Sequence, residues 1–218
     1  MPKTLITFSL IVAFLFARIL SADDDSHAPT NPVVDTVIKA IGGEDNLLDI
    51  FRFSERLLIT ATQTPLIEGK TKPNRSSVVK VGTAWWLGTT KRSKDKVRVL
   101  CWAWSLRILL DKTSKIETIP DVQINNKPAI GLRVTESIAE PIHLFFDKET
   151  KRLTAIDYTD TRHVFSDWKK SAEGHHYPAH VAGFRFTDKA SGTTQESQWY
   201  QTDILELTPL TELPSELK

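Results

Sequence analysis

Apolar positions at helical spacing mark the first element that the chain predicts. They fall at residues 34, 37, 38 and 41, directly after an Asn-Pro pair at 31–32. Asn is a favoured helix cap, Pro is tolerated in the first turn, and paired glycines such as those at 42–43 commonly follow a helix end. The pattern predicts a helix over residues 31–41. A second short helix is expected over residues 44–51, with its apolar side chains on one side.

From residue 52 onward the pattern becomes that of β-strands. We predict a strand over residues 55–62 and a hairpin over 76–89, followed by a basic turn at 91–96. Later strands are expected over residues 129–134, 142–146, 153–159, 163–168, 179–187 and 195–207. Short turns at regular intervals between these strands favour an antiparallel meander over βαβ units.

The segment over residues 97–110 differs from its surroundings because it is apolar on nearly every side. It contains two of the six tryptophans, and its polar residues are Arg98, Ser105 and Arg107. Such a helix must be buried, and at this length it is too short to cross a bilayer. We predict a buried helix, with a strand as the alternative for its first half.

Alternation along the predicted strands indicates a sheet with one apolar face. Ile130, Leu132 and Val134 share a face opposite Arg133, and the phenylalanines at 184 and 186 alternate with an arginine. An apolar sheet face must be covered, and the few helices are the available cover. We therefore expect a mainly β (α+β) fold in which a hollow is left beneath the helices.

The N-terminus has the plan of a secretory signal. A lysine at position 3 precedes an apolar run over residues 5–20, and Ser21-Ala22 supplies small residues for cleavage. We predict a signal peptide over residues 1–22, a flexible lead over 23–30 and a single domain over 31–218. An uncleaved anchor is the alternative, and either form places the protein in the periplasm or outside the cell.

The charge balance argues against nucleic acid binding, and the cysteine content argues against a disulfide and a reactive thiol. The chain has 28 basic and 27 acidic residues, a net charge of +1, so it lacks the basic surface that nucleic acid binding requires. Cys101 is the only cysteine, so no intramolecular disulfide can form. Its apolar neighbours indicate a buried structural thiol.

Catalytic and metal-binding patterns are weak. Three histidines occur at 175, 176 and 180, but Pro178 lies between them and a β-hairpin would spread them apart, so an exposed turn is expected and not a zinc site. The acidic stretch at 147–150 lacks calcium-loop spacing and is expected to be a turn. No nucleophile elbow, P-loop or dinucleotide motif is present. We expect no enzyme activity, cofactor or metal, and a hydrolase would rest on the histidines alone.

Aromatic residues carry the best argument for binding. Six tryptophans are many for a domain of this size, and they either fill the core or line a cleft. The candidate ligand-binding residues are Trp86, Trp102, Trp104, Ala182, Phe184 and Phe186.

Several short stretches, spread from residue 33 to residue 213, resemble the outer-membrane lipoprotein carrier superfamily, the LolA/LolB-like proteins. They are the helix end at 41–44, the strand after Asn126, the stretch at 144–150, the strand at 156–158, residues 165–168, Gly174, Pro178 and the closing segment at 204–214. The order of these stretches is most similar to secreted relatives of the carriers from planctomycete-type bacteria.

The resemblance implies a strongly curved antiparallel sheet that forms an open half-barrel with a few helices in its mouth. It also implies that the concave face binds a hydrophobic ligand such as an acyl chain or a lipoprotein. The chain is then a non-enzymatic binding or carrier protein, peripheral to a membrane at most. The alternative is an envelope interaction or sensor domain, whose filled cleft is structural and whose surface binds another envelope protein.

Overall fold

The computed structural model describes residues 31–59, 72–92, 94–187 and 195–218. The predicted signal peptide and flexible lead lie outside these residues. Eleven strands occupy most of the described chain: β1 Ile50–Leu58, β2 Arg75–Lys80, β3 Ala84–Leu87, β4 Thr90–Arg92, β5 Lys115–Ile124, β6 Lys127–Thr135, β7 Ile142–Asp147, β8 Leu153–Tyr158, β9 Thr161–Lys170, β10 His176–Thr187 and β11 Gln195–Pro209.

All eleven strands form one antiparallel sheet in the order β4-β3-β2-β1-β11-β10-β9-β8-β7-β6-β5. Because β4 and β5 are both edges, the sheet is open and not a closed barrel. The predicted mainly β, antiparallel architecture is confirmed. The turn at Asn125 and Asn126, where both residues have positive φ, joins β5 to β6 as a tight hairpin.

The first predicted helix is confirmed as α1, Pro32–Ala40. The Asn31 side chain accepts a hydrogen bond from the Val33 amide at 3.0 Å, as a helix cap should. The predicted second helix is wrong. A 3₁₀ turn covers only Glu44–Asn46, and β1 already begins at Ile50, where its pairing with β2 and β11 outweighs the local helical spacing.

Two other local predictions need correction. The segment predicted as a basic turn contains the edge strand β4, which pairs with β3. Strand β5 was not predicted, although it pairs with β6 along nearly its whole length.

The apolar segment at 97–110 is confirmed as a buried helix and not a strand. Helix α2 covers Asp95–Trp104, Leu106 adopts a left-handed conformation with φ of 61°, and a 3₁₀ turn covers Arg107–Leu110. We call residues 95–110 the cover segment. Val99 and Ala103 are buried, whereas Trp102 and Trp104 are half-buried.

The sheet curves around the cover segment. Helix α2 packs against both β3 and β8, which are six strand spacings apart in the sheet order. In a flat sheet these strands would lie about 29 Å apart, whereas a ten-residue helix is about 15 Å long. The sheet must therefore bend toward the helix, which gives the open half-barrel that the sequence predicts.

The main core lies between this face of the sheet and the helices. Its fully buried members include Val37, Phe51, Leu132, Ile142, Leu144 and Phe146. Two smaller clusters lie on the opposite, outer face. One contains Phe145, Ala155 and Val164, and the other contains Trp86.

Candidate functional site

The space beneath the helices is largely filled, but a small opening remains beside the end of α2. The volume left there is about 20 Å³, close to the space for one water molecule. The sequence predicts a larger hollow, and the cover segment occupies that space. The opening is lined mainly by apolar side chains: Ile41, Leu47, Leu48, Trp104, Leu106, Leu153 and Trp168.

Few polar contacts hold the cover segment on the sheet. The Arg98 guanidinium donates to the Gly82 carbonyl at 2.9 Å, and Lys96 forms an exposed ion pair with Asp160 at 2.9 Å. Arg107 donates to the Leu47 carbonyl at 3.1 Å and to the Asp49 carboxylate at 2.9 Å. These contacts lie at the rim of the covered face, and the attachment elsewhere is apolar packing.

A buried polar row crosses the covered face of the sheet. The Tyr200 hydroxyl lies 2.6 Å from Nδ1 of His163, two strands away. The intervening residue is Gly183, which pairs with both of them. A Cβ atom at Gly183 would lie 1.8 Å from the Tyr200 ring, so only glycine lets the ring cross this strand.

An ion pair continues the polar row toward β2. Glu55 is 5% exposed as a residue, and its carboxylate lies 3.1 Å from Nε of Arg75 and accepts a hydrogen bond from the Thr202 hydroxyl at 2.8 Å. Burial raises the pKa of Glu55, and the Arg75 charge offsets part of that rise. Cys101 of α2 is near this pair, and burial raises the pKa of its thiol to about 12. The prediction that Cys101 is buried is confirmed.

The buried His163 predicts a loss of stability in acid. Burial, followed by the Lys96 charge, lowers its pKa from 6.5 to about 4. Its neutral form is therefore favoured by folding, and this contribution is complete above pH 6.5 and lost as the pH falls toward 4. We expect the free energy of unfolding to fall by about 2 kcal/mol from this group between pH 7 and pH 5.

Urea titrations of the wild type and His163→Gln across this pH range measure that loss. The glutamine does not titrate, so the difference in stability between the two proteins should shrink by about 2 kcal/mol as the pH falls. The raised pKa of Glu55 increases the free energy of unfolding as the pH falls, but this contribution is the same in both proteins and cancels in the difference. A constant difference across the range would contradict the buried neutral imidazole.

A groove of about 380 Å³ lies on the outer face. Its floor is a row of directly paired residues, His143, Asp157 and Arg162, on three adjacent strands. The Arg162 guanidinium donates two hydrogen bonds to Asp157, at 2.7 and 2.8 Å. The guanidinium also lies 5.8 Å from the centre of the Phe145 ring and 5.3 Å from that of Phe186. This groove is charged and bounded by aromatic rings.

The structure does not bring the six candidate ligand-binding residues together. Trp104 lines the opening beneath the cover segment, and Trp102 packs against the same core. Phe184 belongs to an outer cluster and Phe186 lines the outer groove, with Ala182 on the same face by strand alternation. Trp86 lies in the other outer cluster, against Leu210, Leu213 and Leu217.

The three clustered histidines lie in separate surroundings. His175 donates from Nδ1 to the Asn46 carbonyl at 2.9 Å, His180 lies 2.8 Å from the Asp203 carboxylate, and His176 lines the opening. The predicted exposed turn is wrong for these histidines: the turn covers residues 172–174, His176 and His180 lie on β10, and all three side chains are half-buried because the strand pairs with its neighbours. Among the described residues, no three potential metal ligands converge.

The predicted turn at 147–150 is confirmed. The Asp147 carboxylate accepts hydrogen bonds from the amides of Glu149 and Thr150, at 3.0 and 2.7 Å. The bond from Thr150 is the main reason why the pKa of Asp147 is lowered. This carboxylate therefore closes a turn between β7 and β8.

Comparison with known proteins gives likenesses of fold. No family model matches the chain, and no curated protein matches it. A domain described as an outer membrane lipoprotein-sorting protein, from Vibrio parahaemolyticus, is 8% identical, with 84% of this chain and 93% of that chain covered and a TM-score of 0.49. A LolA superfamily protein from Nitrosomonas europaea is 11% identical, with 84% and 96% covered and a TM-score of 0.48. A DUF1329 family protein from Desulfovibrio piger is 8% identical, with 87% and 97% covered and a TM-score of 0.49.

At identities of 11% or below, the likeness concerns the fold alone. None of the helices in the described ranges is both long and apolar enough to cross a bilayer.

Proposed function

We propose that this chain is an exported, non-enzymatic protein that binds an apolar ligand, such as an acyl chain, between the cover segment and the sheet. The observation that carries the proposal is the apolar opening beside Trp104, where the cover segment, the end of α1 and the sheet meet. Apolar clefts are the usual sites for such ligands. The ligand would enter there and lift the cover segment from the sheet, so that it lies between the two and against Trp104.

The cover segment has features of an element that can leave the sheet. Helix α2 has no side-chain cap at Lys94, so its first amides gain nothing from a cap. Leu106 has a positive φ, which costs a non-glycine residue about 1–2 kcal/mol and would be relieved when the segment moves. The polar contacts of the segment are few and lie at its rim.

Ligand burial supplies free energy toward lifting this segment from the sheet. Transfer of a twelve-carbon chain from water contributes roughly 9 kcal/mol at about 0.8 kcal/mol per methylene. That sum must cover the lost packing of the cover segment and the entropy of association. An acyl chain of this length is therefore the smallest class of ligand that we expect to bind well.

Titration with methyl laurate, followed by intrinsic tryptophan fluorescence, tests the proposal on the mature protein. We expect saturable binding that Trp104→Ala weakens at least tenfold, because this ring lines the opening. Phe184→Ala is the matched control, since it removes an aromatic ring from the outer face and should leave binding unchanged. Absence of saturable binding of both methyl laurate and dodecane would reject the proposed function.

A second candidate function is favoured by the outer groove. The groove is larger than the opening under the helices, and aromatic rings with arginine are common at protein interfaces. The protein would then be an envelope interaction or sensor domain with a filled core. A photo-crosslinker at position 140, on the groove, should capture an envelope protein, whereas one at the exposed Leu205 should not.

The proposed location follows from the predicted signal peptide over residues 1–22. A periplasmic or extracellular protein with a covered apolar face can carry a lipid or the acyl chains of a lipoprotein through water. Contact with a membrane would then be peripheral and brief.

A further inference from the structure

Nε of Arg75, which lies beside Glu55, and two uncharged groups are buried polar atoms of the covered face that lack a hydrogen-bond partner within the described part of the chain. The two uncharged groups are the Ser77 hydroxyl on β2 and the indole nitrogen Nε1 of Trp85 on β3. Ser77 is 1% exposed and Trp85 is 5% exposed. Buried polar groups are normally paired, because an unpaired one loses its hydrogen bonds to water without replacement.

Both groups lie on the covered face of the sheet, the face that carries Phe51 and Phe53. Ser77 pairs with Phe53, and Trp85 pairs with Val79, which in turn pairs with Phe51. Trp104 packs against both Phe51 and Phe53, with ring centres 5.2 and 6.2 Å apart. The two groups thus lie one and two strands beyond the aromatic rings that Trp104 covers.

The chemistry of the two groups defines what they would accept. An indole N–H can only donate, and a serine hydroxyl can donate, so an oxygen acceptor satisfies both. The neighbouring charges are already balanced, since Arg75 pairs with Glu55 at 3.1 Å and lies 5.6 Å from the Trp85 ring. An additional carboxylate would be buried without its own counter-ion, which is costly, whereas a neutral carbonyl adds no charge.

We infer that Ser77 and Trp85 form a subsite for a neutral carbonyl, so that the preferred ligand is an acyl ester or amide and not a free fatty acid. This inference rests on the proposed function, because the subsite opens only when the cover segment moves. The ester oxygen accepts from the Ser77 hydroxyl and the Trp85 indole, while the chain runs toward Trp104 and the opening.

Binding constants of methyl laurate, laurate and dodecane at pH 8 test the subsite. Ser77→Ala should weaken the binding of methyl laurate about five- to tenfold, because it removes one hydrogen bond to the carbonyl. The binding of dodecane, which has no carbonyl, should be unchanged. Laurate should bind the wild type at least tenfold more weakly than methyl laurate. Trp85→Phe should also weaken the binding of methyl laurate.

A matched control separates binding from stability. Ser114→Ala removes another serine hydroxyl, which donates to Ser137 at 2.7 Å just before the edge strand β5, eight strands from β2 in the sheet order, and should alter the binding of none of the three probes. Ser77→Ala should leave the unliganded protein at least as stable as the wild type, since its hydroxyl has no partner to lose.

The outcomes are distinct for the two proposals. If neither methyl laurate nor dodecane binds, the proposed function fails. If both probes bind, and Ser77→Ala weakens the binding of both equally or of neither, the inference of a carbonyl subsite is rejected while the proposed function stands. Equal affinity of laurate and methyl laurate would also overturn the subsite.

Discussion

Replacing Phe51 by alanine should lower the free energy of unfolding by about 3–5 kcal/mol. Phe51 is 0% exposed and lies at the centre of the main core. Its ring meets the Trp104 ring edge-on, with centres 5.2 Å apart, so it supports the cover segment as well as the sheet. The loss combines the transfer free energy of the ring with the cavity that the surrounding residues leave.

Equilibrium unfolding in urea measures this loss, and Leu205→Ala is its control. Leu205 lies on β11 and is 37% exposed, so its truncation should change stability by no more than about 0.5 kcal/mol. Similar small losses for both variants would show that Phe51 does not anchor the core. If the cover segment is loosened, iodide should also quench the tryptophan fluorescence of Phe51→Ala more strongly than that of the wild type.

Replacing Glu55 by alanine should cost about 3–5 kcal/mol, because it leaves the Arg75 charge without its partner. The Thr202 hydroxyl would lose its acceptor at the same time. The raised pKa of Glu55 shows that its burial is already unfavourable, so the cost comes from the uncompensated arginine and not from a strong ion pair.

A double variant distinguishes these causes. Glu55→Met with Arg75→Met replaces the pair by apolar groups, and it should recover most of the stability that Glu55→Ala loses. Glu212→Ala removes an exposed partner of Lys218 and should cost less than about 1 kcal/mol. A cost for Glu55→Ala as small as that for Glu212→Ala would contradict the buried polar row.

Local patterns predict the elements that have unbroken periodicity. Helix α1 follows from its cap and apolar spacing, and the hairpin of β2 and β3 follows from alternation. Strand β5 escaped prediction because its register shifts between Ile119 and Val122, which interrupts the alternation of apolar residues. Strand β4 is short, polar and exposed, so it has no apolar pattern to detect.

The candidate site is harder to predict because strand alternation groups residues without saying which face is covered. Phe184 and Phe186 share a face, but α2 covers the other one, where Gly183 admits the Tyr200 ring. The polar row was missed because Glu55 and Thr202 are 147 residues apart and form no local motif. Such sites depend on strand order, which a single sequence does not specify.

Hydrogen exchange of backbone amides, with and without methyl laurate, tests most directly whether the cover segment gives way to an apolar ligand. We expect the amides of residues 95–110 to exchange faster in the saturated complex, while those of β7 and β8 keep their protection. Saturable binding with unchanged exchange over residues 95–110, and new protection at the outer groove around His143 and Arg162, would contradict the account.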